Sequence, residues 1–273
     1  MFRPISFSGK LFRYYLLAPR HPAKIRIQNL LIKYFFTTGI LLKNESGIIL
    51  KLQPNDWITR IILIHGGYET ASLSLAKNIL KDGGLFIDVG ANFGLYSCII
   101  SQNNGVNVFA VEPNFMVMPD LLENIRLNKR ENISVLNTAL SGEFQFASMD
   151  MQRENNLGTA SFKVQEKAAF SILSCSLNYI FKSQFIENAT LIKIDIEGNE
   201  FAVLKDFSFE IYPVKNILLE FNNLSDQSFQ DLENFFQQKG FVIRDINGQK
   251  LNSDISHIPE NNLWLENINY IKG

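Results

Sequence analysis

The stretch LFIDVGANFGLYS, residues 85–97, restricts the fold more than any other part of this sequence. A run of apolar residues leads directly into the turn Asp-Val-Gly-Ala-Asn-Phe-Gly, and a helix-like apolar run follows it. This order predicts a buried strand, a tight turn and the start of a helix. Because glycine has no Cβ atom, such a turn allows the backbone to approach a ligand closely.

Strand-like and helix-like segments alternate from about residue 44 onwards, with no internal repeat or low-complexity tract. This alternation predicts an α/β fold, a mostly parallel sheet with helices on both faces. We divide the chain into a basic, aromatic-rich segment, 1–43, and an α/β domain, 44–273. The predicted strands are GIILKLQ, WITRIILI, LFIDVG, VNVFAVEP, ISVLNTAL, ATLIKIDIEG, VKNILLEF, FVIRDI and NNLWLEN.

Acidic residues stand at the ends of four predicted strands: Asp88, Glu112, Asp195 and Glu220. Ligands of such sheets bind at the carboxyl ends of the strands, and this acidic rim would repel a phosphate. The chain also lacks the G-x-G spacing of dinucleotide-binding turns and the Gly-Lys-Ser/Thr of phosphate-binding loops. S-adenosylmethionine fits better, because it carries a ribose, an ammonium group and a sulfonium but no phosphate.

The glycine turn and the next strand end suggest how this cofactor is held. Glu112 can accept hydrogen bonds from both ribose hydroxyls, as the acid about 20 residues further on does in dinucleotide-binding folds. Gly90 and Gly94 let the backbone approach the methionine end. The alternative is an ordinary strand-to-helix connection, with Glu112 as a solvated strand end before Pro113.

The segment LIKIDIEGNE, residues 191–200, is unusually charged for a buried strand. Lys193, Asp195 and Glu197 share one face, because side chains alternate along a strand. We predict Asp195 as the functional residue, in the role of base, acceptor-orienting group or cation ligand, and Glu197 as a second candidate. His65, which precedes two glycines, is a third candidate base. The alternative is a strand that has one solvent-exposed face near its end.

Charge is distributed unevenly along the chain. The net charge of −1 gives no overall field that favours nucleic acid. We predict that the segment 1–43 contacts an anionic membrane surface; the alternative is a helical arm packed on the acidic domain. This segment has no Asp or Glu and eight basic residues, Arg3, Lys10, Arg13, Arg20, Lys24, Arg26, Lys33 and Lys43.

Other features favour a cytoplasmic protein, with peripheral contact at the inner membrane surface. The most apolar run, LLIKYFFTTGILL at residues 30–42, is too short to span a bilayer, and no signal peptide is evident. The two cysteines form no disulfide framework, which fits a reducing compartment. The three histidines form no zinc motif.

The motifs DVGANFG, VFAVEPN, LNTALSG, LIKIDIEGNEFAVLKDF and NILLEF resemble, in content and order, the FkbM family of S-adenosylmethionine-dependent methyltransferases. The resemblance covers roughly residues 44–268. It implies a class I methyltransferase (Rossmann-like) fold, whose seven-stranded sheet ends in a C-terminal antiparallel hairpin. It also implies O-methylation of a hydroxyl on a sugar, a glycan or a secondary metabolite.

The resemblance also implies a cofactor site. Tyr68 and Glu69 would lie near the methionine end; the alternative is a surface tyrosine and a helix-start acid. The sequence departs from the family at Asn178, where the family usually has Asp: an Asn can cap the next helix but cannot be a base. The predicted cofactor-binding residues are Tyr68, Glu69, Asp88, Gly90, Asn92, Gly94, Glu112 and Asn114.

Two other functions remain open from the sequence. The first is an NAD-dependent oxidoreductase, against which the missing G-x-G spacing argues. The second is a non-catalytic binding module with a methyltransferase fold, against which the acidic rim argues.

Overall fold

The computed structural model describes residues 1–149, 162–163, 171–196, 198, 200–221, 226–251 and 258–270. Its helices are α1 (Phe7–Leu17), α2 (Lys24–Phe35), α3 (Trp57–His65), α4 (Thr70–Ile79), α5 (Leu95–Ile100), α6 (Met118–Leu127), α7 (Leu177–Ser183), α8 (Glu200–Lys205) and α9 (Asp226–Gln238). Its strands are β1 (Arg3–Pro4), β2 (Ile40–Lys43), β3 (Ile49–Leu52), β4 (Gly84–Val89), β5 (Val106–Val111), β6 (Ile133–Leu136), β7 (Ala139–Leu140), β8 (Gln145–Met149), β9 (Phe162–Lys163), β10 (Ser171–Cys175), β11 (Ala189–Ile194), β12 (Val214–Glu220), β13 (Phe241–Asp245) and β14 (Asn262–Asn267).

The main sheet has seven strands in the order β13-β14-β12-β11-β4-β5-β6. The pairs from β12 to β6 are parallel, whereas β14 runs antiparallel to both β12 and β13. The predicted seven-stranded, mostly parallel sheet with a C-terminal antiparallel hairpin is therefore confirmed. The chain crosses from β4 to β5 on one side and to β11 on the other, so β4 lies at the point where the strand order reverses.

Helices cover both faces of this sheet, because successive strand residues point to opposite sides. Phe86, Leu191 and Leu218 belong to a core shared with α1, α4 and α5. Their neighbours Ile87 and Ile192 belong to a second core, under α7, α8 and α9. The two cores account for the continuous apolar runs in β4, β11 and β12.

A second, three-stranded sheet in the order β1-β2-β3 lies in the N-terminal part. The predicted boundary after residue 43 falls between β2 and β3, which pair as antiparallel strands. Phe2 and Phe12 are buried in the same core as Phe86. The segment 1–43 thus packs on the rest of the chain through Phe2, Phe12 and the pairing of β2 with β3.

The predicted strand WITRIILI is wrong, since these residues form α3. The Asp56 side chain accepts a hydrogen bond from the backbone N–H of Thr59 at 2.8 Å and so caps the first turn. Gly66 ends the helix in the left-handed region, at φ 81°. Thr59, Ile62 and Leu63 are buried, which is the one-sided pattern of a helix rather than that of a strand.

The predicted strand ISVLNTAL divides into β6 and β7, which belong to different sheets. A four-stranded sheet in the order β7-β10-β8-β9 stands beside the main sheet. Within the described ranges, no helix is both long and apolar enough to cross a bilayer.

Candidate functional site

A cavity of about 1030 Å³ opens at the carboxyl ends of β4, β5, β11 and β12. This is where ligands bind in open parallel sheets, next to the reversal of strand order. All four rim acids predicted from the sequence, Asp88, Glu112, Asp195 and Glu220, line this cavity.

Glu112 ties the glycine turn to the end of β5. Its Oε2 accepts a hydrogen bond from the backbone N–H of Asn92, and its Oε1 accepts one from the backbone N–H of Asn114, both at 2.7 Å. Burial raises the pKa of this carboxyl to about 7, although the two backbone donors act in the opposite direction. A carboxylate has about four acceptor positions, so two remain for a ligand.

Asp88 is the most deeply buried of the rim acids, with 1% of its surface exposed. The hydroxyl of Ser97, one turn into α5, donates a hydrogen bond to its Oδ2 at 2.6 Å. Burial raises the pKa of Asp88, while the charge of Lys193 and the bond from Ser97 counteract this rise. Asp88 therefore joins the end of β4 to the helix that follows the glycine turn.

The glycine turn has two different steric requirements. Gly90 has φ 79°, and a Cβ atom there would lie 1.8 Å from the carbonyl oxygen of Asp195. Gly94 has φ 85°, and its Cβ would lie 2.6 Å from the Leu121 side chain. Gly90 and Asn92 line the cavity, but Gly94 does not. Gly94 serves the packing of α6 on the turn, and the close approach at Gly90 is to the end of β11.

Lys193 and Asp195 form an ion pair at the centre of the site. The Nζ of Lys193 lies 2.7 Å from Asp195 Oδ2, and the two side chains are 4% and 25% exposed. Burial would raise the pKa of Asp195, but Lys193 and a hydrogen bond with Glu220 hold it below its ordinary value. Burial would likewise lower the pKa of Lys193, but Asp195, Glu69 and other acids raise it. Both members of the pair are thus ionised near neutral pH.

Glu69 and two tyrosines, Tyr68 and Tyr96, line the cavity next to Lys193. The hydroxyl of Tyr96 donates a hydrogen bond to Glu69 Oε2 at 2.8 Å, and the ring of Tyr96 lies 4.9 Å from Lys193 Nζ. Burial raises the pKa of Glu69 and of both Tyr68 and Tyr96. Tyr68 also packs edge-on against Trp57, with ring centroids 6.2 Å apart.

The other residues singled out from the sequence are His65, Glu197 and Asn178. His65 lies exposed at the end of α3 and does not line the cavity, so it is not brought to the rim. Glu197 lies outside the described residues. Asn178 does not cap α7, because Ser176 accepts the bond from the Tyr179 N–H.

The Asn178 side chain instead bridges to the segment after α8. It donates a hydrogen bond to the carbonyl of Asp206 at 2.9 Å and accepts one from the N–H of Ser208 at 3.0 Å. These bonds join residues about 30 positions apart in the sequence. The prediction that Asn178 caps the helix was wrong because it considered only neighbouring residues.

Several cavity residues were not found from the sequence. Trp57 and Arg60 of α3, Ile25 and Asn29 of α2, and Tyr96 all line it. Tyr96 follows the glycine turn directly and could have been considered on that ground. The α2 and α3 residues carry no local signal, because only the packing of these helices brings them to the rim.

The site is strongly acidic. Among the described lining residues, Arg60 and Lys193 are the cations, against six carboxylates: Glu69, Asp88, Glu112, Asp195, Asp206 and Glu220. No cluster of three His, Cys, Asp or Glu residues with metal-holding geometry occurs in the described part of the chain. The cavity thus suits a ligand with hydroxyls and positive charge.

Comparison with known proteins assigns the family. The sequence matches the methyltransferase FkbM domain over residues 88–243, which is more than half of the chain. The hexuronic acid methyltransferase AglP of Haloferax volcanii is 25% identical over 170 residues, 62% of this chain and 68% of that protein.

Solved structures with a similar arrangement are more distant. M. capricolum TrmK in complex with S-adenosylhomocysteine is 14% identical, with a TM-score of 0.44 over 72% of this chain and 68% of that one. M. jannaschii TYW2 in complex with S-adenosylmethionine is 14% identical, with a TM-score of 0.41 over 85% and 87%.

The matched residues run from Asp88 in β4 to Ile243 in β13 and so include the glycine turn, Glu112 and the Lys193–Asp195 pair. The chain belongs to the FkbM family of methyltransferases.

Proposed function

We propose that this protein transfers a methyl group from S-adenosylmethionine to a hydroxyl of a sugar or glycan. The observation that carries the proposal is the cavity at the strand ends, with Glu112 fixed by two backbone N–H groups and Asp195 fixed by Lys193. Membership of the family supports S-adenosylmethionine as the cofactor.

The residues present fit this cofactor. Glu112 keeps acceptor positions for two ribose hydroxyls, since each of its oxygens accepts one backbone bond. The carboxylates of Glu69 and Asp88 suit its ammonium and sulfonium charges. Gly90, Asn92 and Asn114 border the same part of the cavity, and Tyr68 lies beside Glu69. When bound, the cofactor supplies an electrophilic methyl group.

Asp195 is the residue we assign to the acceptor hydroxyl. A hydroxyl loses its proton as its oxygen attacks the methyl carbon, and a positioned carboxylate can accept that proton. Lys193 keeps Asp195 ionised, and a quarter of the Asp195 side chain is exposed. The other requirement is alignment of the hydroxyl with the methyl group, which the walls of the cavity would provide.

A sugar acceptor is favoured by the relative that acts on hexuronic acid and by the lining of the cavity mouth. Trp57 is 55% exposed, and an exposed aromatic ring offers a stacking surface for a sugar. Asn29 and Asn55 supply amide groups, and Arg60 supplies a cation, at the same mouth.

Calorimetry with S-adenosylhomocysteine and with NAD tests the cofactor. We expect binding of the first and none of the second; the reverse result would favour an oxidoreductase. Binding of neither, by a folded protein, would contradict both enzymatic functions.

Asp195→Asn tests the chemistry, with radiolabelled S-adenosylmethionine and uronic-acid oligosaccharides as acceptors. We expect cofactor affinity within a few-fold of the wild type and turnover reduced at least about tenfold, because general-base assistance contributes roughly 10²–10⁴-fold. Asp82→Asn, at an exposed position outside the cavity, is the matched control. Normal turnover of Asp195→Asn would make Asp195 a structural residue.

A further inference from the structure

Helix α1 carries apolar side chains on two opposite faces. Gly9 and Phe12 are buried against the core, whereas Phe7, Leu11 and Tyr14 are 75%, 56% and 80% exposed. At about 100° per residue, these three exposed side chains fall within roughly 60° of one another, opposite the buried face. The packing of the domain therefore leaves a complete apolar strip of α1 uncovered.

Helix α2 also carries an exposed apolar strip. Gln28 is buried, and Ile27, Leu30 and Tyr34 are 38%, 53% and 69% exposed. The spacing of these three residues, i, i+3 and i+7, again makes one exposed strip. We call the exposed strips of α1 and α2 together the α1–α2 surface.

Cations border this surface. Lys10 lies next to the α1 strip, and Arg26 and Lys33 lie next to the α2 strip, all three exposed. In the described part of the chain, no ion pair joins a basic side chain of residues 1–43 to an acidic one. Only the terminal amine of Met1 pairs with an acid there, at 3.8 Å from Glu45, so the basic side chains of this segment have no acidic ion-pair partner among the described residues.

We propose that the α1–α2 surface docks the protein on an anionic lipid bilayer. Exposed aromatic and aliphatic side chains next to Lys and Arg are the combination that enters the headgroup region of anionic membranes. A second copy of the chain fits less well, because self-association through this surface would bring two segments with eight cations and no acids together.

The docked orientation also involves the cavity. Ile25 and Asn29 are exposed residues of α2 that line the cavity, and Trp57 lines it from α3. At about 100° per residue, Ile25 and Asn29 lie roughly 150° around α2 from the exposed strip, so docking through this strip leaves the cavity side of α2 facing away from the bilayer.

Co-sedimentation of the full chain with vesicles tests the docking. We expect pelleting with phosphatidylcholine vesicles that contain phosphatidylglycerol, little pelleting with phosphatidylcholine alone, and release at about 0.5 M salt. Lys10→Gln/Arg26→Gln/Lys33→Gln should weaken binding roughly 100-fold, since each cation contributes about fivefold. Lys129→Gln/Lys205→Gln/Lys215→Gln changes the charge equally at exposed sites elsewhere and should have little effect.

The apolar part is tested in the same way. Phe7→Ser/Leu11→Ser/Tyr14→Ser should weaken vesicle binding at least roughly tenfold. The matched control, Phe185→Ser/Ile211→Ser/Ile268→Ser, removes three residues that are 91%, 64% and 64% exposed outside this segment. All replaced side chains are exposed, and unchanged S-adenosylhomocysteine affinity in each variant will show that the fold and cofactor site are intact.

Equal pelleting with neutral and anionic vesicles, or none with either, would overturn the docking proposal. So would a dimer in solution that the Phe7/Leu11/Tyr14 replacement dissociates, because a second copy would then cover the surface. Neither result depends on cofactor binding, so a failure of docking is distinguishable from a failure of the proposed function.

Discussion

The raised pKa of Glu112 predicts that cofactor affinity depends on pH near neutrality. Its carboxyl is buried and has a pKa of about 7, and it is the residue we assign to the ribose hydroxyls. Only the ionised form presents acceptors to both hydroxyls while it keeps both backbone bonds. Affinity for S-adenosylhomocysteine should therefore rise as the pH rises through 7.

The magnitude follows from the ionised fraction. With a pKa of about 7, roughly one tenth of the carboxyl is ionised at pH 6 and nine tenths at pH 8, so the apparent Kd should fall about tenfold between them. Calorimetry at pH 6, 7 and 8 measures this change. Glu112→Gln should weaken binding at pH 8 by about 10–100-fold and remove most of the pH dependence.

The same carboxyl affects the stability of the cofactor-free protein in the opposite direction. Because its folded pKa lies above the unfolded value, the folded state binds more protons between about pH 4.5 and 7. Its contribution to the free energy of unfolding should fall by up to about 3 kcal/mol as the pH rises through this range. Urea denaturation of wild type and Glu112→Gln isolates this contribution.

Glu187→Gln, at an exposed position, is the matched control and should keep the wild-type pH dependence of both quantities. An affinity for S-adenosylhomocysteine that is constant from pH 6 to 8, or a full pH dependence retained in Glu112→Gln, would refute the assignment of Glu112 to the ribose.

The remaining predictions concern stability, measured by urea denaturation. Lys193→Met and Asp195→Asn should each lower the free energy of unfolding by about 3 kcal/mol, because each leaves the other charge buried without its partner. The double variant should lose clearly less than the sum of the two; additive losses would mean that the two side chains are not coupled. Gly90→Ala should lower the free energy of unfolding by at least about 2 kcal/mol. The control Gly47→Ala, at a glycine with a similar φ and open space around it, should lower it by about 1 kcal/mol. Equal losses would contradict the clash between a Cβ atom at residue 90 and the end of β11. Asn178→Asp should destabilise by about 1–2 kcal/mol, because a carboxylate cannot donate to the carbonyl that Asn178 contacts; a neutral effect would make that bond unimportant.

The sequence by itself determined the sheet and the acidic rim. Strand propensity, apolar runs and turn residues are local properties, so β4, β5, β11 and β12 and their terminal acids could be located without any tertiary contact. The left-handed backbone at Gly90 and Gly94 also follows from the local sequence, because glycine adopts this conformation at little energetic cost. The pairing of Lys193 with Asp195 follows from the alternation of side chains along one strand.

Tertiary structure decided which residues surround that rim. The β-branched run of α3 favours a strand by propensity, but the cap at Asp56 and burial of one face make it a helix. That helix brings Trp57 to the cavity and turns His65 away from it. Tyr96 meets Glu69 across 27 residues of sequence. Contacts between distant segments depend on how whole elements pack, and no local pattern records that packing. The strand ends were therefore predictable, whereas the α2 and α3 residues of the cavity wall were not.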